Sequence, residues 1–112
     1  MSERSETRAS GPKLVRDRIP QIICAAGEEP EIRVAEDGEL AALLSEKLRE
    51  EIGEFLEAMD PEELADVLEV VYALADHLGI GRDGLESRRA AKAAERGGFA
   101  ARIVWAGNAP QR

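Results

Sequence analysis

The sequence predicts an all-α fold, in which a helical hairpin is completed to a four-helix bundle by self-association. Apolar residues recur at steps of three and four through the middle of the chain, which is helical periodicity. The 112 residues include 18 alanines, which favour helix, and only 26 Leu, Ile, Val and Phe. A chain this short buries little apolar surface. We therefore expect a homo-oligomer, at least a dimer, with bundle helices from two chains.

The first part of the chain is predicted to be a tail followed by one short helix. Residues 1–12 are rich in Ser, Glu and Arg, which is typical of a disordered segment. A helix is predicted over 19–26, with Pro20 in its first turn and Gly27 ending it. Residues 31–36 and 102–105 have the composition of extended segments and would allow a minor short β pair.

Three longer helices are predicted in the rest of the chain. The first covers 38–59, with Asp37 as its N-cap. The second begins at Pro61 after the N-cap Asp60, has Glu63 at its third position as in a capping box, and reaches residue 78. The third runs from Asp83 to residue 96. These helices lie in one domain, residues 13–106, which a polar tail of residues 107–112 follows.

Composition excludes several classes of protein. No run of apolar residues approaches the length of a membrane span, and the polar N-terminus is not a secretory signal. A single cysteine, Cys24, excludes an internal disulfide framework and a zinc site of several cysteines; we expect it to be packed among apolar neighbours. The expected location is the cytoplasm, without a membrane partner.

The charges are unevenly distributed. The net charge is −8, but residues 28–69 carry 16 acids and 3 bases, whereas the two flanking segments are slightly basic. Such an acidic centre disfavours binding to a nucleic-acid polymer. It suits hard cations, and the basic ends suit phosphates. A solvated helix face is the ordinary explanation of a charge run and stays open.

Two pairs of acids at i, i+3 stand out: Glu51 with Glu54, and Glu63 with Asp66. On a helical wheel all four border the apolar faces of the two hairpin helices, whereas Glu50 is placed on the solvent side. Antiparallel packing would bring the two pairs together, and four adjacent carboxylates need a cation to neutralise them. Oxygen ligands favour Mg²⁺, or alternatively Mn²⁺. The alternative is ordinary exposed helix acids with a capping role for Glu63.

At these residues the chain resembles the all-α nucleoside triphosphate pyrophosphohydrolase superfamily, which includes MazG-like proteins, dimeric dUTPases and phosphoribosyl-ATP pyrophosphohydrolases. Its EExxE and ExxD motifs correspond to residues 50–54 and 63–66. Residues 13–20, KLVRDRIP, and 95–99, ERGGF, are similar to the opening and ending of the short, phosphoribosyl-ATP-pyrophosphohydrolase-like branch. Only eight residues separate the two acidic motifs, which fits that compact branch.

The resemblance implies a Mg²⁺-dependent hydrolase that cleaves nucleoside triphosphates between the α and β phosphates and releases pyrophosphate. The implied metal ligands and catalytic residues are Glu51, Glu54, Glu63 and Asp66. The candidate phosphate contacts are basic residues in or beside the matching blocks: Lys13, Arg16, Lys47, Lys92 and Arg96. For Lys47 an ordinary ion pair with Glu51 is equally expected.

Two other functions stay open from the sequence. One is phosphoribosyl-ATP hydrolysis in histidine biosynthesis, and the other is a non-catalytic helical oligomerisation module. The aromatic residues Tyr72 and Trp105 could stack on a base, but core packing is the expectation for both. The single histidine, His77, is expected near a helix end and has no accompanying triad motif.

Overall fold

The computed structural model describes residues 12–111, and all regular structure within that range is helical. The helices are α1 (Ile19–Ala25), α2 (Asp37–Ala58), α3 (Pro61–His77) and α4 (Gly81–Arg96). Helix α3 packs against both α2 and α4. The predicted all-α class is confirmed for this range, while nearly all of the predicted N-terminal tail lies outside the described residues.

The minor β pair is wrong for the described residues, since neither 31–36 nor 102–105 forms a strand. Val34 and Ile103, which would have given the pair an apolar face, are both largely exposed. An isolated two-stranded ribbon is marginal in water unless it packs against other elements. The two segments therefore stay as irregular backbone.

Helix α2 begins through a capping box, one residue earlier than predicted. The N-cap is Glu36 rather than Asp37. The Glu36 side chain accepts a hydrogen bond from the backbone N–H of Glu39. In return, the Glu39 carboxylate accepts a hydrogen bond from the backbone N–H of Glu36 at 3.0 Å. The guanidinium of Arg33 also binds the Glu39 carboxylate and lowers its pKa to about 2. Two reciprocal bonds satisfy two N–H groups that the helix itself leaves free.

The predicted N-cap Asp60 and first residue Pro61 of α3 are confirmed, whereas the capping box expected with Glu63 does not form. Asp60 Oδ1 accepts a hydrogen bond from the backbone N–H of Glu62 at 3.0 Å, and Pro61 occupies the first helical position. Met59 takes a left-handed conformation, φ 50°, at the end of α2. The tight connection between α2 and α3 makes them the hairpin that the sequence predicts. Helix α4 begins at Gly81, two residues before the predicted Asp83.

The hydrophobic core of the described chain is small. Leu44 of α2 and Val70 and Ala75 of α3 are its buried apolar side chains. Four large apolar residues on the same two helices stay exposed: Ile52, Leu56, Leu64 and Leu68. We call these four residues the hairpin apolar face. Among residues 12–111, no helix is long and apolar enough to cross a membrane.

Candidate metal centre

Three of the four predicted ligands meet between α2 and α3. One carboxylate oxygen from each of Glu51, Glu63 and Asp66 lies within 4.8 Å of the other two. Glu51 comes from α2, and the other two are one helical turn apart on the first half of α3. The hairpin connection sets this register, because it folds α3 back along the α2 residues that carry the EExxE motif. We call these three residues the carboxylate cluster.

Glu63 is the least satisfied member of the carboxylate cluster. Its Oε1 is shielded from solvent and has no hydrogen-bond partner. Loss of solvation raises the pKa of Glu63, and the negative charges of Glu54, Asp66 and Glu51 raise it further. An unpaired carboxylate oxygen surrounded by other carboxylates is the arrangement that a bound cation would relieve.

The carboxylate of Glu51 is buried between negatively charged neighbours and one positively charged neighbour. Burial raises its pKa, as do the nearby charges of Glu54 and Asp66, while the Lys47 ammonium opposes them from 3.3 Å. The ordinary ion pair that the sequence allowed for Lys47 is therefore present. Because Lys47 Nζ is also 3.4 Å from Glu50, its single charge is shared between two carboxylates.

Residues 13–18, which lie ahead of α1, bring further positive charge to the cluster. Arg16 Nη2 lies 2.6 Å from Asp66 Oδ1, and Lys13 Nζ lies 3.1 Å from Glu50 Oε2. These contacts span 50 and 37 residues of sequence. Two of the predicted phosphate-binding residues therefore lie beside the predicted metal ligands and neutralise acids there.

The structure corrects the placement of Glu50. The helical wheel puts this residue on the solvent side, but its side chain is only 20% exposed and contacts Lys13 and Lys47. Partial burial alone would raise its pKa, yet the two ammonium groups lower it overall. A wheel drawn for one helix cannot include the N-terminal segment, which covers this part of α2.

Glu54, the fourth predicted ligand, is not one of the three residues of the carboxylate cluster. It is partly exposed, and it lies near enough for its charge to raise the pKa of both Glu51 and Glu63. The structure therefore brings Glu54 to the edge of the site rather than into its centre.

An open cleft of about 790 Å³ runs from the carboxylate cluster along α3 towards the start of α4. Glu51, Lys47 and Asp66 line one part of it, and Tyr72 and Arg82 line another. Segment 14–18 forms a further part of its wall. A cleft of this volume is within the range of small-molecule sites in proteins.

Two predicted phosphate contacts lie elsewhere. Lys92 and Arg96 are exposed on the second half of α4 and do not line this cleft. Arg96 Nε lies 4.0 Å from the carboxylate of its neighbour Glu95. Glu69, by contrast, lines the cleft. A helical wheel places this residue on the flank of α3 away from Asp66. Segment 14–18 and the first turn of α4 extend the site beyond the face shared by α2 and α3.

The structure also adds a feature that the sequence did not predict. The Cζ of Arg82 lies 3.9 Å from the centroid of the Tyr72 ring, at the cleft wall. The only available signal was the glycine-rich turn after α3, which brings the start of α4 back over that helix.

The packing expected for two other side chains is wrong. Trp105 is 78% exposed rather than packed in the core, and Cys24 is exposed rather than packed among apolar neighbours. His77 lies in the last turn of α3, as predicted.

The arrangement suits a hard divalent cation. Its donors are carboxylate oxygens without thiol or imidazole, which are the ligands that Mg²⁺ and Mn²⁺ prefer. Lys47 and Arg16 neutralise the cluster only in part, since Oε1 of Glu63 has no partner and the pKa values of Glu51 and Glu63 are raised. The cleft beside the cluster leaves room for a ligand that brings anionic groups of its own.

Comparisons with known proteins give one partial match. The chain is 49% identical over 53 residues to a protein of Mycolicibacterium smegmatis described as uncharacterized. The match covers 47% of this chain and 53% of the relative, so it spans about half the length of each. No family model matches the chain, and no solved structure matches it.

Proposed function

We propose that this protein is a Mg²⁺-dependent nucleotide pyrophosphohydrolase that cleaves nucleoside triphosphates between the α and β phosphates. The observation that carries the proposal is the carboxylate cluster, with its unpartnered Glu63 oxygen, at the side of a cleft that also carries Arg16 and Lys47. The resemblance of residues 13–105 to the all-α nucleoside triphosphate pyrophosphohydrolases supports it.

Glu51, Glu63 and Asp66 would hold the metal, with Glu54 as a further ligand or as a nearby negative charge. A bound divalent cation there would lower the pKa of a water molecule and neutralise charge that develops on phosphoryl oxygens. Hydrolysis of the α–β anhydride consumes one water and yields a nucleoside monophosphate and pyrophosphate.

The basic residues around the cluster have the complementary task of binding the polyphosphate. Arg16 presents a planar guanidinium, which matches phosphate oxygens with two parallel hydrogen bonds. Lys47 and Lys13 supply point charges on either side of Glu50. In the free protein all three are paired with carboxylates, so a phosphate ligand with its metal would exchange these pairs for contacts of its own.

The proposed assembly is a homo-oligomer, at least a dimer. The hairpin apolar face is the supporting observation, because helices α2 and α3 leave these four side chains exposed in the single chain. A second hairpin packed on this face would complete a four-helix bundle.

The test is a metal-dependent pyrophosphate-release assay across nucleoside triphosphates and phosphoribosyl-ATP. Wild-type protein should release pyrophosphate only with Mg²⁺ or Mn²⁺. Glu63→Gln should lose activity by at least about 10- to 100-fold, the loss typical of a disturbed metal site. The matched control is Glu57→Gln, which removes the same charge from an exposed position of α2 and should stay active. No metal-dependent activity, or equal losses in the two variants, would refute the proposal.

A further inference from the structure

The proposed function assigns no role in metal or phosphate binding to the part of the cleft formed by Tyr72 and Arg82. It differs in chemistry from the region of Glu51 and Asp66, because it presents an aromatic ring covered by a planar guanidinium. Both side chains line the same cleft as Glu51 and Asp66, two members of the carboxylate cluster. Whatever binds the cluster and fills the cleft therefore also reaches this pair.

The turn between α3 and α4 builds this pair. Gly79 and Gly81 adopt φ values of +82° and +67°, which side chains other than glycine rarely adopt, and the chain reverses within three residues. Arg82 is therefore only one residue into α4 when it reaches back over Tyr72, ten residues earlier in the sequence. Tyr72 is partly buried, whereas Arg82 is exposed, so the guanidinium is the accessible layer of the stack.

We propose that the Tyr72–Arg82 pair is the binding site for the planar base of the nucleotide; this inference rests on the proposed function. Flat heteroaromatic rings stack on aromatic side chains and on arginine planes, largely independently of base identity. An aliphatic ligand would gain little from such a surface, and a phosphate would use the Arg82 guanidinium but not the Tyr72 ring.

The spacing along α3 agrees with this assignment. Asp66 and Tyr72 are six residues apart on one helix, a rise of about 9 Å along its axis with about 120° between the two side-chain directions, and both line the cleft. That separation is on the scale of a nucleotide measured from its phosphate to its base. The cleft volume of about 790 Å³ accommodates sugar and base in addition to the phosphates.

The experiment compares two probes by isothermal titration calorimetry in the presence of Mg²⁺. One probe is an α,β-methylene nucleoside triphosphate, which the proposed reaction cannot cleave, and the other is inorganic tripolyphosphate, which has no base. Wild-type protein should bind the nucleotide about 5- to 160-fold more tightly, the range that stacking of one base contributes. Tyr72→Leu and Arg82→Gln should each lose most of this preference, and Tyr72→Leu should leave the affinity for tripolyphosphate nearly unchanged.

Two controls separate stacking from charge and from folding. Arg88→Gln removes the same charge from an exposed residue of α4 that does not line the cleft, and it should keep the full preference. Tyr72→Phe retains the ring and should keep it as well. An unchanged helical circular dichroism spectrum and an unchanged Mn²⁺-induced thermal shift establish that the variants are folded with an intact metal site.

The outcomes distinguish this inference from the proposed function. If wild-type protein hydrolyses nucleotides but binds the two probes equally, or if Tyr72→Leu keeps the preference, the base site is refuted and the pyrophosphohydrolase proposal stands. If neither probe binds with metal and no pyrophosphate is released, both are refuted.

Discussion

Replacing Arg16 with glutamine should make the protein bind Mn²⁺ more tightly when no nucleotide is present. In the free protein the Arg16 guanidinium lies 2.6 Å from Asp66 Oδ1, one of the three residues of the carboxylate cluster. A cation that uses this oxygen has to displace the guanidinium. If the proposed metal binds there, Arg16 would compete with it in the free protein, although we expect Arg16 to assist phosphate binding in the complex.

The size of the effect follows from how exposed the ion pair is. The side chains of Arg16 and Asp66 are 53% and 39% exposed, so water screens their attraction. Exposed pairs contribute about 0.2–1 kcal/mol to stability. Removing the competitor should therefore lower the Kd for Mn²⁺ by about 1.4- to 5-fold, since RT is about 0.59 kcal/mol. The metal-free protein should lose a similar small amount of stability.

The assay is a Mn²⁺ titration in which the free ion is counted by electron paramagnetic resonance. The chain offers a closely matched control, Arg33→Gln. Arg33 pairs with Glu39, the two side chains are 56% and 35% exposed, and this pair lies at the start of α2, outside the carboxylate cluster. Arg33→Gln removes the same charge and an equally exposed ion pair, yet it should leave the Kd for Mn²⁺ unchanged.

Two results would refute this reasoning. One is a Kd for Mn²⁺ that is unchanged or higher in Arg16→Gln, and the other is an equal decrease in Arg33→Gln, which would point to net charge alone. With the uncleavable nucleotide present the sign should reverse, because Arg16→Gln then lacks a phosphate contact. Tighter metal binding combined with weaker nucleotide binding is the expected signature.

Three further predictions test the site and the fold. Because the pKa values of Glu51 and Glu63 are raised above 4.5, the folded state binds more protons than the unfolded state just above that pH. The free energy of unfolding of the metal-free protein should therefore fall as pH rises through this window. Urea titrations of a variant with glutamine at both positions should lack this decline, and a decline of equal size would contradict the assignment. Gly53→Ala should raise the free energy of unfolding by about 0.5–1 kcal/mol, because a Cβ there meets open space in mid-helix. Gly84→Ala should instead lower the free energy of unfolding by about 1–3 kcal/mol in the same denaturant titration, because its Cβ would lie 2.9 Å from a side-chain carbon on the preceding turn. Changes of the same sign in Gly53→Ala and Gly84→Ala would refute this contrast. Light scattering at micromolar concentration should give at least twice the 12.2 kDa chain mass and a lower mass for Leu64→Glu, whereas a wild-type monomer would exclude the proposed bundle.

Local sequence patterns were sufficient to predict the helices. The apolar period of α2 and α3 and the Asp60-Pro61 start of α3 depend on neighbours within one or two turns, and the structure confirms them to within a residue or two. The start of α4 was missed because its first residue follows a glycine turn rather than a capping side chain. The predicted β pair was wrong because strands need a partner and a surface to cover, and local composition supplies neither.

The spacing of the acids placed Glu51, Glu54, Glu63 and Asp66 beside the apolar faces of two helices, and the hairpin brings all but Glu54 into one cluster. That part was predictable because it needs only helical geometry and a short connection. What only the tertiary structure decided is the set of charges from distant segments: Arg16 on Asp66, and Lys13 on Glu50. Such contacts join residues 50 and 37 positions apart, and no periodicity within one helix encodes them. The Tyr72–Arg82 pair depends likewise on how the turn after α3 directs α4, which is a property of backbone conformation at two glycines rather than of any side-chain pattern.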